Sequence, residues 1–330
     1  MVEITRRQAL ATSLAGLSAA GIVMNTAFAQ AQKVTRVIIG FPPGGGVDSA
    51  LRPLVQNMTD SYPGGLIIEA KPGAATRLAA EYVKASPPDG TTMLFTTDFT
   101  LTLAPYTVKK LNYDPVADFI PVAAVMAAPL VLCVGPSVPE TVKTPADFIA
   151  WSKANPQKAA YASSGSGGSP HFMGVMFAKA ADYPLLHVPY KGNAPAMVDV
   201  MGGQIASIFS PISDVISRLG TSRLRALATT GLKRSKFLPD VPTLVELGYK
   251  DLVCEPWIGL FLPANTPRAI VTRTSNLVTA ALKLPALQES YAKQGSEPMQ
   301  STPESTAALL KADLARWSAI VKASGFTPEE

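Results

Sequence analysis

A glycine-rich turn near the start of the chain combines residue types that suit an anion. Residues 41–49, FPPGGGVDS, directly follow the apolar run Val37-Ile38-Ile39. A strand, a turn and then a helix start leave unpaired backbone N–H groups at the first helical turn, beside the positive end of the helix dipole. The three glycines also allow close backbone approach to a ligand. The turn contains no Arg or Lys, so either backbone groups hold an anion there or this is a plain tight turn.

A second glycine-rich turn, residues 161–171, leads into a helical stretch at 172–181. The hydroxyls of Ser164, Ser166 and Ser169 beside a helix start suit a carboxylate or a bound water. Ser169 could instead be the helix N-cap, and His171 could pack the loop as a neutral ring. Two such turns predict a ligand that is held from two sides.

The patterns expected of an enzyme are missing from the sequence. It has no Gly-x-Ser-x-Gly elbow, no phosphate-binding Gly-Lys-Ser/Thr loop and no His-Glu-x-x-His. A serine near a histidine in one loop is not a triad, because three groups must converge. The other histidine, His187, lies in a different segment, which lacks the spacing of a metal site. We therefore expect no enzymatic activity, no metal and no cofactor.

Apolar β-branched runs alternate with Ala-rich amphipathic runs along the chain. The predicted strands are 35–39, 66–70, 92–95, 130–134, 159–162, 205–209, 224–229 and 257–262. The predicted helices are 48–59, 77–85, 145–154, 169–180, 194–201, 243–247, 267–284 and 302–323. This alternation predicts an α/β protein with sheets of the parallel type.

So many strands favour two α/β lobes over one large sheet. Candidate crossing strands lie at 130–136 and 252–257, where Pro and Gly flank short strands. The first lobe would comprise residues 33–133 plus 255–330, and the second residues 134–254. In open α/β lobes the binding crevice lies beyond the carboxyl ends of the strands, where both glycine-rich turns are placed. The cleft between the lobes is the predicted site.

The first 29 residues have the pattern of an export signal. Arg6 and Arg7 precede a stretch rich in Ala, Leu, Ser and Gly, which closes with the small-x-small cleavage signature at 27–29. Paired arginines indicate the twin-arginine route, but Ala9 stands where that signal more often has Phe, so an ordinary secretory signal stays open. An uncleaved anchor is a further alternative. We expect cleavage near Ala29 and a periplasmic protein.

Charge and cysteine content bound the function further. The 29 basic and 24 acidic residues give a net charge of +5, with no basic block for nucleic acid or an anionic membrane. Cys133 and Cys254 both lie in strand-like segments, and an oxidising compartment permits a bridge between them. We hypothesise this disulfide; two buried free thiols are the alternative.

A series of short motifs, in a fixed order, spans nearly the whole chain after residue 29. They are IGFPPGGGVD at 39–48, KPGA at 71–74, SPPDG at 86–90, SSGSGGSPH at 163–171, HVPYKG at 187–192, GGQ at 202–204, LPDVPT at 238–243 and WIGL at 257–260. No single motif is decisive, but together they resemble the Bug family. These proteins are the extracytoplasmic solute receptors of tripartite tricarboxylate transporters.

The resemblance implies a two-lobe periplasmic binding protein fold, type II-like, in which each lobe is a sheet flanked by helices and two crossing strands join the lobes. It implies hinge closure on a small carboxylate, which could be an organic acid, an aromatic acid or an amino acid. The implied partners are a large and a small integral membrane subunit, and the receptor would be a monomer. A sensor of the same fold that signals to a membrane kinase is the alternative function, and a periplasmic hydrolase is a further one.

The expected ligand-binding residues come from both lobes. They are Phe41, Pro43, Gly44, Gly45, Gly46, Asp48, Ala74, Arg77, Thr97, Asp98, Ser164, Ser166, Ser169, His171 and Tyr190. For Asp48 we favour capping of the helix over contact with a ligand amine. The turn with Tyr190 would form a wall of the cleft.

Two of these residues depart from the family's pattern. Arg77 stands where small residues are common; facing inward it could pair with a second carboxylate, and facing outward it would be a surface arginine. Asp98 follows a first-lobe strand where the family usually has small neutral residues. An inward Asp98 would repel a carboxylate or require an amine or hydroxyl partner, which puts a simple tricarboxylate in doubt.

Overall fold

The structure, a computed structural model, describes residues 33–328. The predicted signal at 1–29 lies outside the described residues. The strands are β1 (Thr35–Ile39), β2 (Leu66–Ala70), β3 (Thr92–Thr97), β4 (Phe119–Ala127), β5 (Leu130–Val134), β6 (Ala160–Ser163), β7 (Leu186–Pro189), β8 (Ser207–Pro211), β9 (Arg225–Thr229), β10 (Trp257–Pro263) and β11 (Glu297–Pro298).

The α-helices alternate with these strands for most of the chain. They are α1 (Gly46–Met58), α2 (Arg77–Lys84), α3 (Asp98–Thr102), α4 (Ala104–Thr107), α5 (Pro145–Ala154), α6 (Ser169–Ala180), α7 (Asn193–Met201), α8 (Ile212–Ile216), α9 (Arg268–Leu282), α10 (Pro285–Ala292) and α11 (Pro303–Ser324). Within residues 33–328, no helix is long and apolar enough to cross a membrane.

The strands form two sheets. The first has six strands in the order β11-β4-β10-β3-β1-β2, and the second has five in the order β7-β6-β8-β5-β9. Pairing is parallel around β1 and β6. It is antiparallel where β10 meets β3 and β4, and where β5 meets β8 and β9. The sheets are therefore mixed rather than purely parallel, because β5 and β10 enter them in the opposite direction.

Both sheets are covered on both faces. Val37 and Ile39 of β1 pack in one apolar core while Ile38 packs in another. Successive side chains of a strand point to opposite faces, so this division means apolar neighbours on either side. β5 divides in the same way, with Leu132 in one core and Val131 in the other. The predicted α/β class, with each sheet flanked by helices, is confirmed.

The path between the sheets differs in detail from the prediction. β4 belongs to the first sheet, and β5 pairs along its whole length in the second, so the chain crosses at residues 128–129. The predicted lobe boundary after Cys133 falls inside β5.

The predicted helix at 243–247 is absent, because Thr243 forms a parallel bridge with Thr229 and the Leu244 amide donates to the Thr229 carbonyl.

The C-terminal helix α11 packs against both sheets. Near its start, the Thr306 hydroxyl accepts a hydrogen bond from the Ala124 amide of β4, at 2.9 Å. Near its end, Trp317 and Val321 are buried in the core of the second sheet beside Phe172. The helix begins at the Thr302 capping box and ends at Gly325, whose φ of 70° suits a helix C-terminus.

The two cysteines are free thiols, so the hypothesised disulfide is absent. Cys133 and Cys254 are both fully buried, but they belong to different apolar cores of the second sheet. Cys133 packs with Val131 on one face of β5, while Cys254 packs with Leu132 and its neighbours on the other. The sheet between them keeps the sulfur atoms apart, which the strand-like setting of each cysteine did not reveal.

Candidate functional site

A cleft of about 470 Å³ lies where the first glycine-rich turn meets the crossing strands. Segments of both sheets line it: residues 41–43 and 45–47, Thr97, residues 126–128, Leu130, Pro211, Ser213, Asp214, residues 256–258, Gln294 and Ser296. This volume falls in the range of small-molecule sites, and most of the lining is apolar. The glycine-rich turn therefore faces elements of the second lobe across an open space.

The first turn is held in shape by Asp48. Its Oδ2 accepts hydrogen bonds from the Gly44 amide at 2.8 Å and from Arg52 Nε at 2.7 Å. Burial opposes ionisation of Asp48, but the hydrogen bonds from Arg52 and Gly44 and the charge of Arg52 outweigh it and lower the pKa. Asp48 thus organises the turn ahead of the helix and does not line the cleft; α1 itself has no side-chain cap hydrogen bond, so the capping that we favoured from the sequence is not formed.

The three glycines of this turn have different roles. Gly44 has a φ of 84°, a conformation that favours glycine, and its N–H is occupied by Asp48. Gly45 and Gly46 line the cleft, together with Phe41 and Pro43. The first N–H groups of α1, which begins at Gly46, have no acceptor within the helix. They form the positive end of the cleft.

A strained turn packs against the base of this loop. Ala74, Ala75 and Thr76 have consecutive positive φ values of 46°, 50° and 76°. Such backbone strain in non-glycine residues often occurs at functional sites. Thr76 lies so close to Gly40 that a Cβ there would come within 2.6 Å of it.

Arg77 closes this strained turn, because its Nε donates to the Ala74 carbonyl at 2.8 Å. Neither Ala74 nor Arg77 lines the cleft. The pairing of Arg77 with a second ligand carboxylate, which an inward side chain would allow, stays a prediction.

The second glycine-rich turn is organised by two stacked histidines. The Gly167 amide donates to His171 Nδ1 at 3.1 Å, and the ring of His171 stacks on His187 at 3.9 Å. His187 Nε2 lies 2.7 Å from the Ser163 hydroxyl. Burial lowers the pKa of each histidine to about 4, so both rings are neutral at pH 7. His171 therefore packs the loop, one of its two predicted roles.

This second turn lies apart from the cleft. Ser164 and Ser166 are exposed and Ser169 is half-buried, and none of them lines the cleft. A Cβ on Gly167 would lie 3.2 Å from Thr107 of the first lobe and 3.4 Å from Phe326. The turn is thus next to the first lobe, with two free hydroxyls at its tip.

Tyr190 is also outside the cleft. Its hydroxyl donates to Asp199 Oδ2 at 2.7 Å, within the second lobe. Contact of Tyr190 with a ligand therefore stays a prediction.

Asp98 is buried beside α11 rather than in the cleft, whereas the adjacent Thr97 lines the cleft. Burial, together with the negative charge of Asp313, raises the pKa of Asp98 to about 7. Asp313 accepts a hydrogen bond from Trp257 Nε1 at 2.8 Å and pairs with Arg316 at 3.0 Å. This polar cluster fixes the indole of Trp257, which is buried in the core beside α11. Asp98 thus has a structural setting that its position after a strand did not reveal.

Several residues of the cleft were not among the predicted site residues: Ser213, Asp214, Gln294 and Ser296. Ser213 and Asp214 lie in the first turn of α8, just past the end of β8, so the rule that crevices lie at the carboxyl ends of strands could have found them. Gln294 and Ser296 precede β11, a strand of two residues with no sequence signal. Among the lining residues of the described chain, Asp214 alone has a charged side chain.

Comparison with known proteins agrees with this architecture. The model of the tripartite tricarboxylate transporter family receptor, TctC, matches residues 50–326. BugT of Bordetella pertussis is 30% identical over 291 residues, which cover 88% of this chain and 89% of BugT.

Two solved structures have the same fold. The periplasmic binding protein BugD is 28% identical, with a TM-score of 0.76 over 90% of this chain and 99% of that chain. Rpa4515 of R. palustris, solved with adipate, is 27% identical, with a TM-score of 0.79 over 89% of this chain and 98% of that chain. The resemblance found in the sequence is confirmed: the chain belongs to the Bug-type, TctC family of tripartite tricarboxylate transporter receptors and has their two-lobe periplasmic binding protein fold.

Proposed function

We propose that this protein is a periplasmic receptor that captures a small carboxylate in the cleft and delivers it to the large and small membrane subunits of a tripartite transporter. The observation that carries this proposal is the cleft itself. The start of α1 and its glycine-rich turn face the second lobe there, and no Lys or Arg among residues 33–328 lines it. Backbone N–H groups at a helix start bind anions without a cationic side chain.

Binding in such a site depends on the approach of the backbone to the ligand. Because Gly45 and Gly46 have no side chains, a carboxylate can reach the amides of the first turn of α1. Phe41 and Ile258 of the same lobe add apolar lining beside these amides. The amides would bind the carboxylate group, and the apolar lining would contact the rest of the ligand.

Closure of the two lobes completes the site in this proposal. The lobes would be residues 33–127 with 257–328, and residues 130–254, joined by short crossing segments. Rotation about these segments would bring the hydroxyls of Ser164 and Ser166 toward the ligand. A ligand that contacts both lobes binds the closed form more tightly, and this differential affinity drives closure.

The test adds side chains to the wall of the cleft. A Cβ on Gly46 would meet no atom within 4 Å, and one on Gly45 would lie 3.6 Å from the Pro42 carbonyl. Gly45→Leu and Gly46→Leu should therefore fold but fill the ligand's space. We expect affinity for the bound carboxylate, measured by titration calorimetry after a thermal-shift screen of organic, aromatic and amino acids, to fall at least tenfold.

The matched control is Gln56→Leu, which adds the same side chain on an exposed face of α1 away from the cleft. It should bind like the unaltered protein. Ser166→Leu tests whether the second turn reaches the ligand, and it should weaken binding without lowering the melting temperature. Unchanged affinity in both glycine variants would place the ligand elsewhere.

A further inference from the structure

Asp214 places a carboxylate in the wall of the cleft opposite the glycine-rich turn. It lies on the short helix α8, and its Oδ2 accepts a hydrogen bond from Asn193 Nδ2 at 2.8 Å. The same Nδ2 donates to the Ser210 hydroxyl, also at 2.8 Å. Asn193 thus holds the side chain of Asp214 in position while the carboxylate stays at the cleft.

Neither a helix cap nor an ion pair within residues 33–328 explains the negative charge of Asp214 at the cleft. No backbone N–H of residues 33–328 donates to the Asp214 carboxylate, so it does not cap α8. Arg218, the neighbouring cation, donates instead to the Asp214 main-chain carbonyl and to Ser217. Within the described residues, no Lys or Arg forms an ion pair with the Asp214 side chain. A half-buried carboxylate without a cationic partner is costly, and a ligand can supply that partner.

Burial raises the pKa of Asp214, against the hydrogen bond from Asn193 and the charge of Arg218. The nearby amide of Asn193 also has a buried Oδ1 without a hydrogen-bond partner. Asn193 does not line the cleft, so Asp214 is the carboxylate that this wall offers to a ligand. A ligand group that donates hydrogen bonds suits it, and a positive charge on that group would relieve the cost of ionising Asp214.

The cleft is therefore polarised. Its first-lobe wall is the amide end of α1, and its second-lobe wall has Asp214, the one negative side chain among the lining residues that the structure describes. Most of the remaining lining is apolar and includes Phe41, Val47 and Ile258. This arrangement suits a ligand that has a negative group, a positive group and an apolar side chain.

We infer that the ligand is a small zwitterion with an apolar side chain, whose carboxylate meets the first turn of α1 and whose ammonium group pairs with Asp214. The inference rests on the proposed receptor function and names its substrate class. Asp214 is the residue that selects zwitterions over plain acids, and Asn193 positions it.

The experiment compares matched ligands by titration calorimetry at pH 7.5. L-Leucine and L-phenylalanine are paired with 4-methylpentanoate and 3-phenylpropanoate, which lack only the ammonium group, and adipate represents dicarboxylates. We expect at least one zwitterion to bind tenfold or more tightly than its matched acid. In Asp214→Asn this preference should vanish, with weaker binding of the zwitterion and equal or tighter binding of the acid.

Asp199→Asn is the matched control, because Asp199 is a half-buried carboxylate of the same lobe outside the cleft. It should keep the preference. Plain acids or adipate that bind the unaltered protein as tightly as the zwitterions would overturn the inference and leave the receptor function intact. Binding of none of these carboxylates would also overturn the inference, while the receptor function would be decided by the broader screen and the Gly45→Leu and Gly46→Leu variants.

Discussion

Replacement of Asp98 by Asn should stabilise the protein at neutral pH and have little effect in acid. The folded-state pKa of Asp98 is raised to about 7 from an ordinary value of 3.8, first by burial and then by the charge of Asp313. Because this pKa is raised, the protonated carboxyl favours the native state below pH 3.8, and that contribution is lost as the pH rises through 7. The difference corresponds to at most about 4 kcal/mol of unfolding free energy.

Asn avoids this loss because it cannot ionise, and its side-chain oxygen can still accept the hydrogen bond that Asp98 takes from the Phe99 amide. The assay is urea unfolding at pH 4, 5.5, 7 and 8, with both proteins at each pH. The stability advantage of Asp98→Asn should grow by about 2 to 4 kcal/mol from pH 4 to 8, since contributions of other groups cancel in the difference. Asp240→Asn, on the exposed surface, is the control. A difference that is constant across this pH range would refute the burial argument.

Two further predictions concern the second lobe. The imidazole resonances of His171 and His187 should not titrate between pH 8 and 5.5, because burial lowers both pKa values to about 4. These are the chain's two histidines, so their NMR signals need no further assignment. A titration midpoint above pH 6 would contradict the stacked arrangement. In both groups the lowered pKa means that stability declines as the pH falls below 6.5 toward 4. A colorimetric thiol assay without reductant should detect two thiols in urea and almost none in the native protein, because burial raises the pKa of both cysteines and shields them. Detection of no thiol in urea would show that the two cysteines form a disulfide.

Local signals predicted much of the fold. The bounds of β1, β2 and α5 agree with the sequence prediction, because apolar alternation, flanking Gly or Pro and the Thr144 cap all act within a few residues. β4 escaped prediction: its sequence FIPVAAVMA includes a proline and three alanines and lacks the β-branched run of a typical strand. Its nine residues form a strand because β10 pairs with it along its length.

The candidate site was less predictable, because sequence spacing does not give the direction of a side chain. Arg77 turns back to the carbonyl of Ala74, three residues before it. Asp98 is buried, and the charge that acts on it belongs to Asp313, which is distant in the chain, so no local pattern could reveal this setting. Asp214 belongs to none of the motifs that carried the resemblance, and it lines the cleft only because β8 ends there.

The attachment of α11 to both sheets has a mechanical consequence. A helix of 22 residues is a stiff rod roughly 33 Å long, whereas the two crossing segments are short and extended. Because α11 cannot stretch, a rotation of the lobes as we propose requires its C-terminal end to slide past Phe172 or to move together with Phe326. Small rotations near Trp257 would then produce larger displacements at the C-terminal end of α11. Under the proposed function, a membrane partner that contacts this end of the helix would distinguish the filled cleft from the empty one without contacting the ligand.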